Sequence, residues 1–131
     1  RRHAPANDLL DASAILTLLH DEPGAAEVAQ HLPESILSSA NLAEVIDKLV
    51  DVSAPIRAVH ELLVAAGLTV EPLTEDDAIL AGALRSVSGG MALSLGDRCC
   101  IALGVRHQAT VLTADRSWAA LTLPVTVQLI R

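Results

Sequence analysis

Five short, largely apolar runs recur along the chain, and they read as strands not patterned with their polar residues outward. They are 9–10 (LL), 35–39 (SILSS), 68–73 (LTVEPL), 110–114 (TVLTA) and 125–130 (VTVQLI). A strand covered on one side alternates apolar with polar residues, whereas a strand covered on both sides reads as a continuous apolar run. Between the runs lie stretches of helical character at 12–22, 25–32, 41–52, 55–67, 74–87, 95–108 and 115–121. In 41–52, for example, Leu42, Val45, Ile46 and Leu49 recur at helical spacing. Strands alternating with helices predict an α/β domain around a mostly parallel sheet.

Helix punctuation agrees with this division. Pro23 and Gly24 are expected to end the helix over 12–22, and Pro33 the helix over 25–32. Pro55 opens the next helix as a first-turn proline, and Gly67 closes it. Thr74 is the expected cap of 74–87, with Glu75, Asp76 and Asp77 as a first-turn acid cluster that favours its own helix. The segment 88–92 (SGGMA) reads as a flexible connection.

The chain has 131 residues, which suits one domain over 7–131, with 1–6 read as an N-terminal extension outside it. A domain near this size buries roughly two-thirds of the surface of its unfolded chain. Phe and Tyr are absent and Trp118 is the only aromatic residue, so the core is aliphatic and Trp118 is expected to pack inside it. The same scarcity argues against base recognition by stacking. The adjacent Cys99 and Cys100 cannot make a disulfide framework and read as small buried hydrophobes in a reducing cytoplasm. No stretch approaches the roughly 20 apolar residues of a membrane span, and no secretory leader is expected.

Net charge is −7, from 16 acids against nine bases, and Lys48 is the only lysine. A passive nucleic-acid binder carries a basic face, and none is visible. If this chain handles nucleic acid, a metal ion or a second chain must supply positive charge.

Open parallel sheets bind ligands at the carboxyl ends of their strands. Asp11 follows the first strand and Asp115 follows the fourth. Glu44 is expected in the first turn of the helix after the second strand, and Asp97 in the first turn of the helix after Gly89–Gly90. Each has a local explanation. Asp11 and Asp115 can cap the helices they precede, and Asn41–Glu44 and Ser94–Asp97 both have capping-box spacing. Together, four carboxylates at one rim would repel one another unless a cation joined them. Oxygen-only donor sets suit Mg²⁺ or Mn²⁺, and two divalent ions would balance four carboxylates.

The stretches LLDASAIL, NLAEV, LSLGDRCCIAL and VLTADRSW, in this order and spacing, resemble the four acidic motifs of PIN-domain nucleases. More narrowly, the chain resembles the VapC-type toxin ribonucleases of bacterial toxin–antitoxin pairs. The resemblance implies a three-layer α/β/α sandwich with a central, mostly parallel sheet. It implies Mg²⁺- or Mn²⁺-dependent hydrolysis of RNA, leaving a 5′-phosphate and a 3′-hydroxyl. Asp11, Glu44 and Asp97 match the usual metal-holding acids, and Asp115 the fourth, more variable one. Ser13 and Thr113 match small hydroxyl positions at the rim. A homodimer and a cognate VapB-type antitoxin are implied as partners. The helices over 25–32 and 55–66 are candidate surfaces for either.

Other charged residues have simpler expectations. Arg98 and Arg116 each follow a site acid and are candidates for phosphate contact or for a structural ion pair. Asp8 is expected outside the cluster, because residues i and i+3 of a strand point to opposite faces. His20, His31, His60 and His107 show no zinc-pair spacing and read as surface or core. Two rival functions remain. A receiver- or phosphatase-like domain would need a lysine near the phosphate, and Lys48 lies mid-helix. A silent interaction module would keep the fold without the reaction.

Overall fold

A computed structural model describes residues 7–87 and 89–131. Expectations for the extension 1–6, and for Ser88 in the 88–92 connection, lie outside the described residues. The strands are β1 (Asp8–Leu10), β2 (Ile36–Ser38), β3 (Thr69–Glu71), β4 (Thr110–Thr113) and β5 (Thr126–Leu129). They form one sheet in the order β3-β2-β1-β4-β5, with every pairing parallel. The helices are α1 (Ala12–Leu19), α2 (Ala25–His31), α3 (Ser39–Asp51), α4 (Ile56–Ala65), α5 (Glu75–Ala83) and α6 (Leu95–His107).

The strand order fixes the layers. From β1 through β2 to β3 the chain steps in one direction, then crosses back to β4 on the other side of β1. Crossovers between parallel strands are right-handed, so the reversal moves the connecting helices to the opposite face. One core cluster accordingly joins Leu10, Leu37 and Leu112 of the sheet to Ala14 and Ile15 of α1, Val28 of α2, Val45 and Leu49 of α3 and Leu63 of α4. The other joins the alternate strand residues Leu9, Ile36 and Val111 to Cys100, Ile101 and Leu103 of α6 and to Trp118. The three-layer sandwich is as expected and Trp118 is in the core; β1, β2 and β4 are buried on both faces, whereas the edge strands β3 and β5 have no neighbour on one side and leave Thr69 and Thr126 exposed.

Several boundaries differ from expectation, each for a local reason. α1 ends at Leu19, not at Pro23, because Asp21 takes a left-handed backbone (φ 52°) and Glu22 N–H bonds back to Thr17 O at 3.0 Å. α3 begins at Ser39, with Ser38 as its cap, so Asn41 is not the cap and Glu44 sits in the second turn. α5 stops at Ala83 and tightens into a 3₁₀ turn over Leu84–Ser86. The stretch after Asp115 is also 3₁₀, over Arg116–Ala120. Part of the 88–92 connection is ordered as a 3₁₀ turn over Gly90–Ala92. Gly67 does close α4: its φ of 109° allows Leu68 N–H to reach Leu63 O at 3.1 Å.

Candidate functional site

Chain direction reverses between β1 and β4, and the crevice at their carboxyl ends is where an open α/β sheet takes a ligand. β1 and β4 pair in register (Leu10 with Leu112), so Asp11, just past β1, and Thr113, at the end of β4, are neighbours. Asp11 N–H extends the pairing to Leu112 O at 3.2 Å.

Asp11 caps α1 and is only 4% exposed. Its carboxylate accepts three hydrogen bonds: from the Ser13 hydroxyl at 2.7 Å, from Ala14 N–H at 2.8 Å and from the Thr113 hydroxyl at 2.5 Å. The two hydroxyls in turn accept backbone N–H groups, Ala114 onto Ser13 Oγ at 2.9 Å and Asp115 onto Thr113 Oγ1 at 3.0 Å. Every hydroxyl proton therefore has a role, and both point at Asp11. Burial nevertheless pushes the Asp11 carboxyl up to about 6, against the lowering effect of these bonds, with the charge of Asp97 adding to the rise. Ser13 and Thr113 thus act as direct supports of Asp11.

Glu44 reaches the site from α3. Its Oε1 accepts from Asn41 Nδ2 at 2.7 Å, and the same amide donates to the carbonyl of Gly96 on α6 at 3.1 Å. Asp97 sits in the first turn of α6, where it accepts from Ser94 N–H at 3.0 Å while Ser94 Oγ accepts from Asp97 N–H at 3.1 Å. The capping box expected at Ser94–Asp97 is present; that at Asn41–Glu44 is replaced by a side-chain pair inside the helix. Cys100, three residues after Asp97 on α6, is fully buried. Burial pushes its thiol well up, and Asp11, Asp97 and Glu44 each add to the rise. Through Asn41 and Gly96, Glu44 of α3 lies against the first turn of α6, which carries Asp97.

Asp115 stands further out. It is exposed and caps the 3₁₀ turn, accepting from Ser117 N–H at 3.0 Å and from the Ser117 hydroxyl at 2.6 Å. Its link to the others is its own N–H on Thr113. Arg116 is exposed beside it.

Arg98 is placed differently from expectation. It is 9% exposed, and its guanidinium donates to the carbonyls of Ala81 at 2.8 Å and Gly82 at 3.4 Å. It holds the end of α5 rather than a phosphate or an ion pair at the rim. The reason is helical geometry: one residue advances about 100° around the axis, so the residue after Asp97 faces α5. Asp8 stands outside the cluster as expected, paired with His31 at 2.6 Å.

Among the described residues, no ion pair involves Asp11, Glu44, Asp97 or Asp115. All their partners are neutral hydroxyl, amide or backbone N–H donors. An oxygen-only set with a buried, raised carboxyl and no counter-charge fits a hard divalent cation chemically. The acids as they stand are each drawn onto local donors, and among the described residues no three His, Cys, Asp or Glu side chains are gathered as a ready metal set. Loading would require the side chains to turn toward one another. The i, i+3 spacing of Asn41 and Glu44, which fits a capping box in sequence, instead serves a side-chain bond that also reaches Gly96.

Among the described residues, no helix is long and apolar enough to cross a membrane. Comparison with solved structures finds similar chains in toxin–antitoxin assemblies. A toxin–antitoxin complex from Klebsiella pneumoniae contains a chain 18% identical, at a TM-score of 0.75, covering 95% of this chain and 98% of that one. DNA-bound VapBC from Salmonella typhimurium gives 20% identity and a TM-score of 0.73, over 97% and 100%. VapBC-5 from Mycobacterium tuberculosis gives 23% identity and a TM-score of 0.59, over 97% and 99%. At these identities the likeness is one of fold. No curated protein sequence matches the chain. The PIN-domain family profile matches residues 9–122, most of the chain and all four acidic positions, and the protein belongs to the PIN-domain family.

Proposed function

We propose that this chain is the toxin of a toxin–antitoxin pair, a VapC-type endoribonuclease that hydrolyses RNA phosphodiester bonds with Mg²⁺ or Mn²⁺. The observation that carries the proposal is a buried Asp11 at the sheet's switch point, held by Ser13, Thr113 and Ala14 N–H, together with the Asn41 bridge that ties Glu44 to the residue before Asp97, with no cationic side chain among the partners of these acids. PIN-family membership and the toxin–antitoxin assemblies among the structural relatives support it.

Asp11, Glu44 and Asp97 would hold the cation, with Asp115 at the outer wall. A bound divalent ion supplies Lewis-acid chemistry: it lowers the pKa of water and offsets charge on phosphate. The residues do the rest. Ser13, Thr113 and Ala14 N–H fix both oxygens of Asp11 and keep it ready to accept positive charge. Asp97 is anchored at the start of α6, and Asn41 holds Glu44 by Oε1. Asp115, whose N–H bonds the Thr113 hydroxyl that supports Asp11, would orient water. Water adds to phosphorus and the bond to the 3′ oxygen breaks, leaving a 5′-phosphate and a 3′-hydroxyl. Arg116, exposed beside Asp115, is the available basic contact for the phosphate backbone.

The proposed partners are an RNA substrate, a second copy of the chain and a VapB-type antitoxin, in the cytoplasm. α4 exposes Ile56, Leu62 and Val64, and a cavity of about 520 Å³ beside it is lined by Leu42, Ile46, Ile56, Arg57 and His60. An apolar surface of this kind favours a protein partner.

The test is 5′-end sequencing of cellular RNA after brief expression, with Asp11→Ala as control. The expected result is a set of new 5′-phosphate ends that are sequence-selective and absent from the control. Identical random ends in both samples would defeat the toxin reading and favour a silent interaction module.

A further inference from the structure

Asn41 is 1% exposed and lies three residues before Glu44 on α3. Its Nδ2 donates to Glu44 Oε1 at 2.7 Å and to Gly96 O at 3.1 Å. Both partners can only accept, so the amide cannot be reversed without facing oxygen against oxygen. Its own Oδ1 is buried and receives no donor. A buried carbonyl without a donor carries a desolvation cost that an apolar side chain of equal size avoids. Packing alone therefore does not explain an asparagine here.

Gly96 occupies the turn of α6 directly before Asp97. A Cβ at this position would lie under 3.0 Å from the Glu44 carboxylate. With no side chain at residue 96, the Glu44 carboxylate lies against the backbone of α6, in a position from which a Cβ would displace it. The Asn41 amide then closes the arrangement by bonding Glu44 and the Gly96 carbonyl at once. Glu44 and Asp97 come from different helices, and this contact sets where one lies relative to the other.

We infer that Asn41 and Gly96 form a latch between α3 and α6 that sets Glu44 beside Asp97, with Asn41 as a positioning residue for the divalent-cation site. The inference rests on the proposed cation site. It assigns the selection of Asn and Gly at these positions to cation affinity rather than to stability.

The experiment is calorimetric titration of Mn²⁺ into the purified chain, comparing wild type with Asn41→Leu and Gly96→Ala. Urea unfolding followed by Trp118 fluorescence runs in parallel. Gly96→Ala favours the helix, so its urea midpoint should hold or rise. Residues that orient metal ligands typically contribute 10- to 100-fold in affinity, so the latch predicts a Mn²⁺ affinity lower by about 10- to 100-fold in both variants. Tight binding by wild type, and binding within about twofold of it by the folded variants, would overturn the latch and leave the cation site standing. Absence of Mn²⁺ binding by wild type would overturn both. Should Asn41→Leu fail to fold, Gly96→Ala decides alone, since a purely structural glycine would show no loss of affinity on replacement by the better helix former.

Discussion

Asp11→Asn should stabilise the cation-free protein, and the gain should depend on pH in a way set by one carboxyl group. Asp11 is 4% exposed, and its carboxyl is raised from 3.8 to about 6 in the folded chain. The unfolded chain ionises at the lower value. Ionisation therefore opposes folding: stability from this group is intact below about pH 4, falls as pH rises toward 6, and is lost above it. A rise of about two pH units is worth about 3 kcal/mol at 1.36 kcal/mol per unit. The asparagine amide fits the same cavity. Its oxygen can accept from Ser13 and Ala14 N–H, and its NH₂ can donate to Thr113 Oγ1 if that hydroxyl turns to Ser13 Oγ, 3.2 Å away. The assay is urea unfolding in EDTA at pH 4.5 and pH 8, read by Trp118, which is buried and the only aromatic residue. Asp11→Asn should gain stability relative to wild type on going from the lower to the higher pH by about 2 kcal/mol, roughly a 1–2 M shift in midpoint. Other titrating groups are shared by the two proteins and cancel. Mg²⁺ should then stabilise wild type and leave the variant unchanged. A difference between the two proteins that is the same at both pH values would refute the placement of a strained, buried carboxylate at this position.

Three further substitutions test separate parts of the account. Thr113→Val keeps the shape but removes the hydroxyl that donates to Asp11 and accepts from Asp115 N–H; it should cost about 1.5–3 kcal/mol at pH 8 and less at pH 4.5, by the same urea assay. Arg106→Met removes the guanidinium that bonds both oxygens of the buried Asp77. Burial raises the Asp77 carboxyl, but Arg106 and Thr74 together hold it below the ordinary value. The loss, about 1.5–3 kcal/mol at neutral pH, should disappear as pH falls below about 4. Gly24→Ala should destabilise by more than about 1 kcal/mol, because residue 24 has φ 103° and a Cβ there would lie 2.7 Å from Ile130 O; thermal unfolding gives the value.

Fold class was legible because short apolar strands alternate with helices, and burial on both faces of β1, β2 and β4 leaves apolar runs there. The acids were legible because strand ends and helix starts mark their positions in sequence. What was not legible is where hydrogen-bond choice is settled by tertiary contact. The ends of α1 and α3 are made by Asp21 and Ser53 in left-handed backbone, where no glycine announces a stop. Asn41 looked like a cap until Ser38 took that role and freed its amide for Glu44 and Gly96. Arg98 looked like a rim residue because it adjoins Asp97 in sequence, yet adjacency on a helix separates faces. In each case the residue type was informative and its partner lay elsewhere in the chain.

Cleavage of a defined RNA by the purified chain, with Mg²⁺ or Mn²⁺ and with EDTA, bears most directly on the central claim. The account predicts products with 5′-phosphate ends from wild type in either cation, none in EDTA, and cleavage slower by about 100-fold or more in Asp97→Asn. Cleavage that persists in EDTA, or that Asp97→Asn performs at the wild-type rate, would contradict it.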